Sequence, residues 1–158
     1  MPRLLLTGLV CLSAGCASMT ALTDAPTVRV DATSVSGQVA QDRLEFMVPL
    51  VITNGTSDLV QYDPCGAVLE RQFRGDWRQV WSATCTLQTR PLIDIQAGST
   101  LRSEVLVSAP TRLSGPQTWP DDAIDGEYRM RVLLARPSNG VFAPPINTSN
   151  TFILRTQR

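Results

Sequence analysis

Four acidic residues gather in the segment "PDDAIDGE", where Asp121, Asp122, Asp125 and Glu127 could supply oxygen ligands to Ca²⁺ or the paired carboxylates of a glycosidase. An EF-hand loop that began at Asp121 would have Ala123 at its third position and Val132 at its twelfth, so that calcium pattern fails. Solvated turns commonly have this composition without a metal. We therefore predict a turn here, with no metal and no cofactor.

The absence of histidine and lysine removes several enzyme classes. All 14 basic residues are Arg, and the chain has no His. Ser-His-Asp and Cys-His nucleophiles need an imidazole, and typical catalytic zinc sites use His as a ligand. Schiff-base chemistry and the phosphate-binding lysine of nucleotide-binding loops need Lys. The formal net charge is zero, which gives no basic face for nucleic acid. The sequence predicts a protein that is not an enzyme and binds no nucleic acid.

The first fifteen residues have the features of an export signal. Arg3 precedes the apolar run "LLLTGLVCL", and the small residues "SAG" follow it. A positive start, an apolar segment of about 7–15 residues and a small-residue cleavage site are typical of secretory signals. The run is too short to cross a membrane as a stable helix. We predict that residues 1–15 are a signal peptide.

The stretch "LSAGC", which ends at Cys16, resembles the lipobox of bacterial lipoproteins at all five positions. The resemblance implies that the Cys16 thiol receives a diacylglycerol, that cleavage precedes Cys16, and that the protein is held in the membrane through this lipid. Two or three acyl chains anchor a protein persistently, whereas one holds it marginally. In that family Ala17 and Ser18 favour the outer membrane where two membranes exist. Residues 16–26 then form a short polar tether.

Cys65 and Cys85 remain after cleavage. In an exported protein they favour one disulfide, which would close a loop of about twenty residues and stabilise the fold by roughly 3 kcal/mol. A redox pair is the alternative, but catalytic couples usually have C-x-x-C spacing near a helix N-terminus. The spacing here therefore favours a structural bond.

From residue 27 onward the hydrophobic residues alternate with a period of two, which is typical of half-buried strands. The strongest pattern is "RLEFMVPLVITN", and Pro49 within it normally indicates an edge or a bulge. "DGEY" suits a tyrosine corner, in which the Tyr128 phenol bonds back to the main chain. No window predicts an amphipathic helix. The candidate strands are "TVRVDATSV", "RLEFMVPLVITN", "DLVQY", "AVLERQF", "WRQVW", "AGSTLRSEVLVSA", "GEYRMRVLLAR" and "NTFILR".

The order of these pieces from Leu44 to Leu154 resembles small immunoglobulin-like domains of bacterial exported proteins. The pieces that carry the resemblance are "LVITNGTSD", "LERQFRGDWRQV", "IQAGSTLRSEVLV", "GEYRMRV" and "NTFIL". The expected fold is all-β, an immunoglobulin-like β-sandwich of about seven to nine short antiparallel strands over residues 27–158. The resemblance implies a domain without a cofactor and without assigned catalytic residues.

Three functions follow as hypotheses. The favoured one is a non-enzymatic, lipid-anchored interaction or structural module of the bacterial cell envelope, with an envelope protein as its partner. The alternative is an exported proteinase inhibitor that presents the loop 136–147, whose prolines would reduce the entropy lost on binding. The third is a hydrolase that depends on Asp122 or Asp125. The candidate partner-binding residues of the loop are Arg136, Asn139, Gly140, Phe142, Pro144 and Pro145.

Overall fold

The computed structural model describes residues 25–85, 92–111, 124–137, 140–142 and 146–157. Within these ranges the chain forms strands and no helix, so no described segment could cross a membrane as a helix. The strands are β1 (Thr27–Val30), β2 (Ser34–Ala40), β3 (Arg43–Thr53), β4 (Val60–Phe73), β5 (Asp76–Ser82), β6 (Ile93–Ile95), β7 (Thr100–Pro110), β8 (Gly126–Arg136), β9 (Gly140–Val141) and β10 (Thr148–Gln157).

The alternating hydrophobic residues form one core. Successive side chains of a strand point to opposite faces, so a period-two apolar pattern buries a single face. In β3 the buried residues are Leu44, Phe46, Val48, Leu50 and Ile52, with Val51 also buried on the opposite face, and in β8 they are Tyr128, Met130, Val132 and Leu134. These two sets are the faces that the sequence predicted. Phe152 and Leu154 of β10 join the same core.

The strands divide into two groups around this core. In the first group β3 pairs with β7 along its whole length, while its other edge pairs with β2 at the start and β1 at the end. In the second group β8 lies between β10 and β4, and the outer edge of β4 pairs with β6 and β5. Strand β2 pairs with both β3 and β10 and so connects the groups. The result is a sandwich-like fold with one shared interior.

The all-β fold is confirmed, and it differs from the expectation in the number, the length, the pairing direction and the division of its strands. The described residues form ten strands rather than seven to nine, and β3, β4, β7 and β8 are 11 to 14 residues long rather than short. One pair, β2 with β10, is parallel. The predicted strand "TVRVDATSV" divides into β1 and β2, because the chain leaves β3 after Val30 and reaches β10 at Ser34.

Strand β4 is continuous where the sequence predicted a break. "DLVQY" and "AVLERQF" join through "DPCG", and the pairing with β8 changes register between Asp63 and Val68. The Asp63 carboxylate accepts a hydrogen bond from the Cys65 main-chain N–H at 2.9 Å. A Cβ atom placed at Gly66 would lie 2.3 Å from the Cβ atom of Leu133. The bulge therefore depends on a glycine that lets β4 pass close to β8.

Pro49 lies in an inner strand rather than at an edge. The pairing of β3 with β2 ends at Glu45, and its pairing with β1 begins at Leu50. Pro49 stands in the gap between these partners, where its carbonyl accepts a hydrogen bond from the Asp31 N–H at 2.9 Å. A proline has no N–H to donate to a ladder. At this position no partner strand requires one, so the proline is accommodated.

Candidate interaction site beside strand β7

The tyrosine corner forms as predicted. The Tyr128 hydroxyl donates to the Ile124 carbonyl at 2.5 Å, and the ring is fully buried and stacked on Phe152 with ring centroids 6.1 Å apart. The Arg71 guanidinium lies 5.9 Å from the centre of the Tyr128 ring and donates to the Asp125 carbonyl. Burial raises the pKa of Tyr128. The corner therefore fixes the start of β8 against the core.

The acidic segment has a structural role in the part of it that is described. The Asp125 carboxylate oxygen Oδ1 accepts hydrogen bonds from both the main-chain N–H and the hydroxyl of Thr156, at 2.8 and 2.6 Å. Glu127 lies in β8 opposite Ile153. Asp121 and Asp122 lie outside the described residues, and the described part of the chain contains no cluster of acidic or sulfur ligands that could hold a metal. The Asp125 carboxylate therefore accepts hydrogen bonds from β10 at Thr156.

The predicted partner-binding loop is only partly described. Gly140 and Val141 form β9 and pair with Ala135 and Arg136 at the end of β8. The Arg136 guanidinium lies 4.9 Å from the centre of the Phe142 ring, and Phe142 packs against the core. Asn139, Pro144 and Pro145 lie outside the described residues. The structure thus brings Arg136 and Phe142 together at the base of the loop.

Cys65 and Cys85 form a disulfide, with their Cα atoms 5.6 Å apart. The bond joins the bulge of β4 to the segment that follows β5, and it closes a loop with a sequence separation of 20. This agrees with the predicted pair. The predicted signal peptide (residues 1–15) and Cys16, the predicted first residue of the tether, lie outside the described residues.

One edge of β7 has no partner strand among the described residues. Along an antiparallel strand, main-chain groups point alternately toward one neighbour and away from it. The Ser99 carbonyl and the Thr111 N–H, which flank the strand, both bond on the β3 side, to Asn54 and Asp42. The Ser108 carbonyl instead accepts from the Trp81 indole N–H at 3.3 Å, away from β3.

The direction of every main-chain group in β7 follows from these three bonds. The pairing of β3 with β7 has no register shift from Arg43 to Thr53. Odd-numbered residues of β7 therefore face β3, and even-numbered residues face outward. Trp81 covers the outward edge at Ser108. The outward N–H and C=O groups of Thr100, Arg102, Glu104 and Leu106 are not bonded to any described strand.

A cleft of about 380 Å³ borders this free edge. Glu104, Leu106 and Ser108 form its β7 side, and residues of β4 and the end of β5 form the opposite side. Leu106 is 56% exposed and lies at the border of the cleft. The residues on the opposite side include Tyr62, Pro64, Trp81, Ala83 and Thr84. The cleft therefore lies between the two strand groups, next to the disulfide.

Tyr62 lines the cleft with a hydroxyl that has no hydrogen-bond partner among the described residues. The side chain is fully buried. Burial raises the pKa of Tyr62 to about 12. The neighbouring Ser103 hydroxyl lowers that pKa, although it does not meet the geometry of a hydrogen bond to Tyr62. A buried unsatisfied hydroxyl costs about 1–3 kcal/mol. The cleft wall thus contains a polar group that the described fold leaves unsatisfied.

The outer face of β7 carries both signs of charge. The Arg102 guanidinium donates to the Asp31 carboxylate at 2.7 Å, and Arg29 donates to the other oxygen of that carboxylate. The hydrogen bonds from Arg102 and then Arg29 lower the pKa of Asp31. Glu104 is exposed and forms no ion pair or hydrogen bond with a described residue. An unpaired carboxylate therefore stands two residues from a paired guanidinium on the same free edge.

Sequence reasoning missed this edge. The period-two pattern of "AGSTLRSEVLVSA" predicts the strand and its buried face, but it does not say which edge lacks a neighbour. The charged residues Arg102 and Glu104 do not distinguish this strand, because the inner strand β8 carries Arg129 and Arg131 in the same alternation. The cleft itself depends on long-range packing of β4 and β5 against β7, which no local pattern encodes.

No protein-family model matches the chain, and no curated protein matches it. Searches of solved structures find distant likenesses. A protein provisionally described as a lipoprotein (ycdA) from Bacillus subtilis aligns with a TM-score of 0.47 and 11% identity over 83% of this chain. This chain spans only 36% of the length of that protein.

Two further structures align over most of their own length. A protein provisionally described as ApaA from Bordetella pertussis has a TM-score of 0.44 and 17% identity, covering 84% of this chain and 94% of that one. The structural-genomics target SoR45 has a TM-score of 0.43 and 13% identity, covering 85% of each chain. At this level of similarity none of the three identifies a family for the chain.

Proposed function

We propose that the protein is an exported, lipid-anchored, non-enzymatic interaction module of the bacterial cell envelope, an immunoglobulin-like β-sandwich that binds its partner along the free edge of β7. The observation that carries the proposal is the row of main-chain groups from Thr100 to Leu106 that bond to no described strand, beside an open cleft. An exposed edge of this kind is a template for another strand. The partner therefore presents an extended segment.

Two further features support the placement in the envelope. The Cys65–Cys85 disulfide suits an oxidising compartment, since disulfides persist in exported proteins and are rare in the cytosol. The sequence "LSAGC" with its preceding apolar run suits export and lipid attachment at Cys16. The choice between the outer and the inner membrane rests on Ala17 and Ser18 alone, which favour the outer one.

A proline at Leu106 tests the interaction edge. The Leu106 N–H points away from β3, so Leu106→Pro removes no hydrogen bond of the β3–β7 ladder but blocks an incoming strand. Leu106→Ala is the matched control, because it removes the same side chain and keeps the N–H. Circular dichroism and thermal unfolding of both variants establish that the fold is retained.

The measurements are quantitative mass spectrometry of proteins that co-purify with the natively expressed chain from membranes, and sedimentation velocity of the purified chain. We expect the Leu106→Pro variant to lose a bound chain, either another protein or a second copy of this one, that wild type and Leu106→Ala both retain. The same co-purifying proteins and the same oligomeric state with all three forms would contradict binding along the β7 edge.

A further inference from the structure

We propose that the partner at the β7 edge is a second copy of this chain, joined by antiparallel pairing of the two β7 strands about a two-fold axis at Ser103. This inference rests on the proposed function, because it assigns the occupant of the same edge. Two-fold pairing is the commonest way for identical chains to associate, and it places the same surface on both sides of the interface.

The charges on the edge select this register. With Ser103 opposite Ser103 of the second copy, Arg102 stands opposite Glu104 and Glu104 stands opposite Arg102. Moving either strand by two residues would place Arg102 opposite Arg102, or Glu104 opposite Glu104. Opposite charges directly across a sheet stabilise the pair and like charges destabilise it. Among these three registers, the one centred on Ser103 gives two attractive pairs and no repulsive one.

The free part of the edge also matches this register. Pairing about Ser103 places Thr100 opposite Leu106 and Arg102 opposite Glu104, once on each side of the two-fold axis. These four residue pairs form about eight main-chain hydrogen bonds. It ends before Ser108, whose carbonyl already accepts from the Trp81 indole. A register displaced toward the end of β7 would have to break that bond. The pairing therefore uses the part of the edge that the described fold leaves unbonded.

Glu104 gains the most from the second copy. It is exposed and has no ion pair among the described residues, whereas Arg102 already binds Asp31 through one guanidinium nitrogen. An arginine has five N–H donors and can bind two carboxylates at once. In the dimer each Arg102 binds Asp31 of its own copy and faces Glu104 of the other. Leu106, which is 56% exposed, lies opposite Thr100 at each end of the pairing.

Two opposite charge reversals test the proposal on the natively processed protein purified in detergent. Arg102→Glu puts carboxylates opposite carboxylates, and Glu104→Arg puts guanidinium groups opposite guanidinium groups. Each variant alone therefore faces two repulsive pairs, while a mixture of the two has two attractive pairs. Sedimentation velocity measures the mass of the protein component in each case.

We expect a dimer for wild type, a dissociation constant raised at least about tenfold for each single variant, and recovery of the dimer when the two variants are mixed. The reversal Arg155→Glu, on an exposed residue of β10, is the control and leaves the dimer intact. Glu104→Arg removes no ion pair or hydrogen bond with a described residue of the same copy. Loss of the dimer in this variant therefore reports the interface and not a lost contact within one copy.

A monomeric wild type would overturn the second copy as partner. So would single variants that remain dimeric, since the contact would then lie elsewhere. The proposed function is tested separately, because a monomeric wild type whose Leu106→Pro variant still loses a different co-purifying protein would retain the β7 edge as the binding site.

Discussion

Replacing Tyr128 by phenylalanine removes one oxygen atom from the tyrosine corner and keeps the buried ring. The hydroxyl donates to the Ile124 carbonyl, four residues earlier in the chain. The ring continues to pack against Phe152 and beneath Arg71. The substitution therefore isolates the hydrogen bond from the packing, and any loss of stability reports how strongly the bond holds the start of β8.

The structure provides a matched control in Tyr62. Both tyrosines are fully buried, but the Tyr62 hydroxyl has no hydrogen-bond partner among the described residues. A hydrogen bond of this kind contributes about 0.5–1.5 kcal/mol, and the Ile124 carbonyl, left without its donor at a part-buried position, adds to the loss. We expect Tyr128→Phe to lower the free energy of unfolding by about 1–2 kcal/mol. We expect Tyr62→Phe to change it by less than about 0.5 kcal/mol, or to raise it, because it deletes an unsatisfied group.

Urea unfolding followed by tryptophan fluorescence measures both changes, provided that the slope of free energy against urea concentration stays the same. Equal losses in the two variants would refute the reasoning, since the corner would then contribute no more than an unbonded hydroxyl. A larger loss for Tyr62→Phe would show that its hydroxyl is bonded in solution.

Three further changes have defined outcomes. Replacing both Cys65 and Cys85 by alanine should lower the free energy of unfolding by roughly 3 kcal/mol, and reductant should lower the melting temperature of wild type but not of the double variant. Gly66→Ala should cost about 1–3 kcal/mol in urea unfolding, because the added Cβ would lie 2.3 Å from β8; an unchanged midpoint would contradict the close approach. Arg102→Ala should raise the pKa of Asp31 toward 3.8, measured by carbon NMR. Because the folded-state pKa of Asp31 is lowered, the contribution of this carboxylate to stability is present above pH 3.8 and is lost as the pH falls through the folded-state pKa. If the pKa of Asp31 does not move in Arg102→Ala, Arg102 is not the main cause of the lowered pKa.

The local patterns predict the strands well because one-sided burial leaves a direct trace in the sequence. The five alternating apolar residues of β3 are all buried, as are the alternating residues of β8; in β3 they are Leu44, Phe46, Val48, Leu50 and Ile52. The corner at Tyr128 was visible for the same reason, since its partner lies only four residues away. The disulfide followed from counting the cysteines that remain after export.

The local patterns did not predict which distant strands pair with each other. The parallel pairing of β2 with β10 joins segments about 120 residues apart, and nothing in "TVRVDATSV" shows where β1 ends and β2 begins. Asn54 is another example. "NGT" predicts a turn, but the Asn54 side chain is fully buried and donates to the carbonyls of Asp58 and Ile95. Such a role depends on which strands meet around the residue.

The functional residues were harder to predict than the fold. Asp125 belonged to a candidate catalytic group by composition, and its carboxylate holds Thr156 of β10. Conversely, the sequence did not single out Glu104 and Leu106, because the interaction site proposed there depends on an edge of β7 that has no partner strand among the described residues. Chemistry-bearing residue types are visible in a sequence, whereas an unoccupied edge is a property of the assembled sheet.

The central claim, an exported and lipid-anchored module, is tested most directly by the intact mass and membrane fractionation of the natively expressed protein beside a Cys16→Ser variant. We expect wild type in the membrane fraction at the mass of a chain that begins at Cys16 with added acyl groups, and the variant without acyl groups outside that fraction. Alkylation after reduction should label two more cysteines than alkylation before it. An unprocessed, unacylated wild type with free thiols at Cys65 and Cys85 would contradict the account.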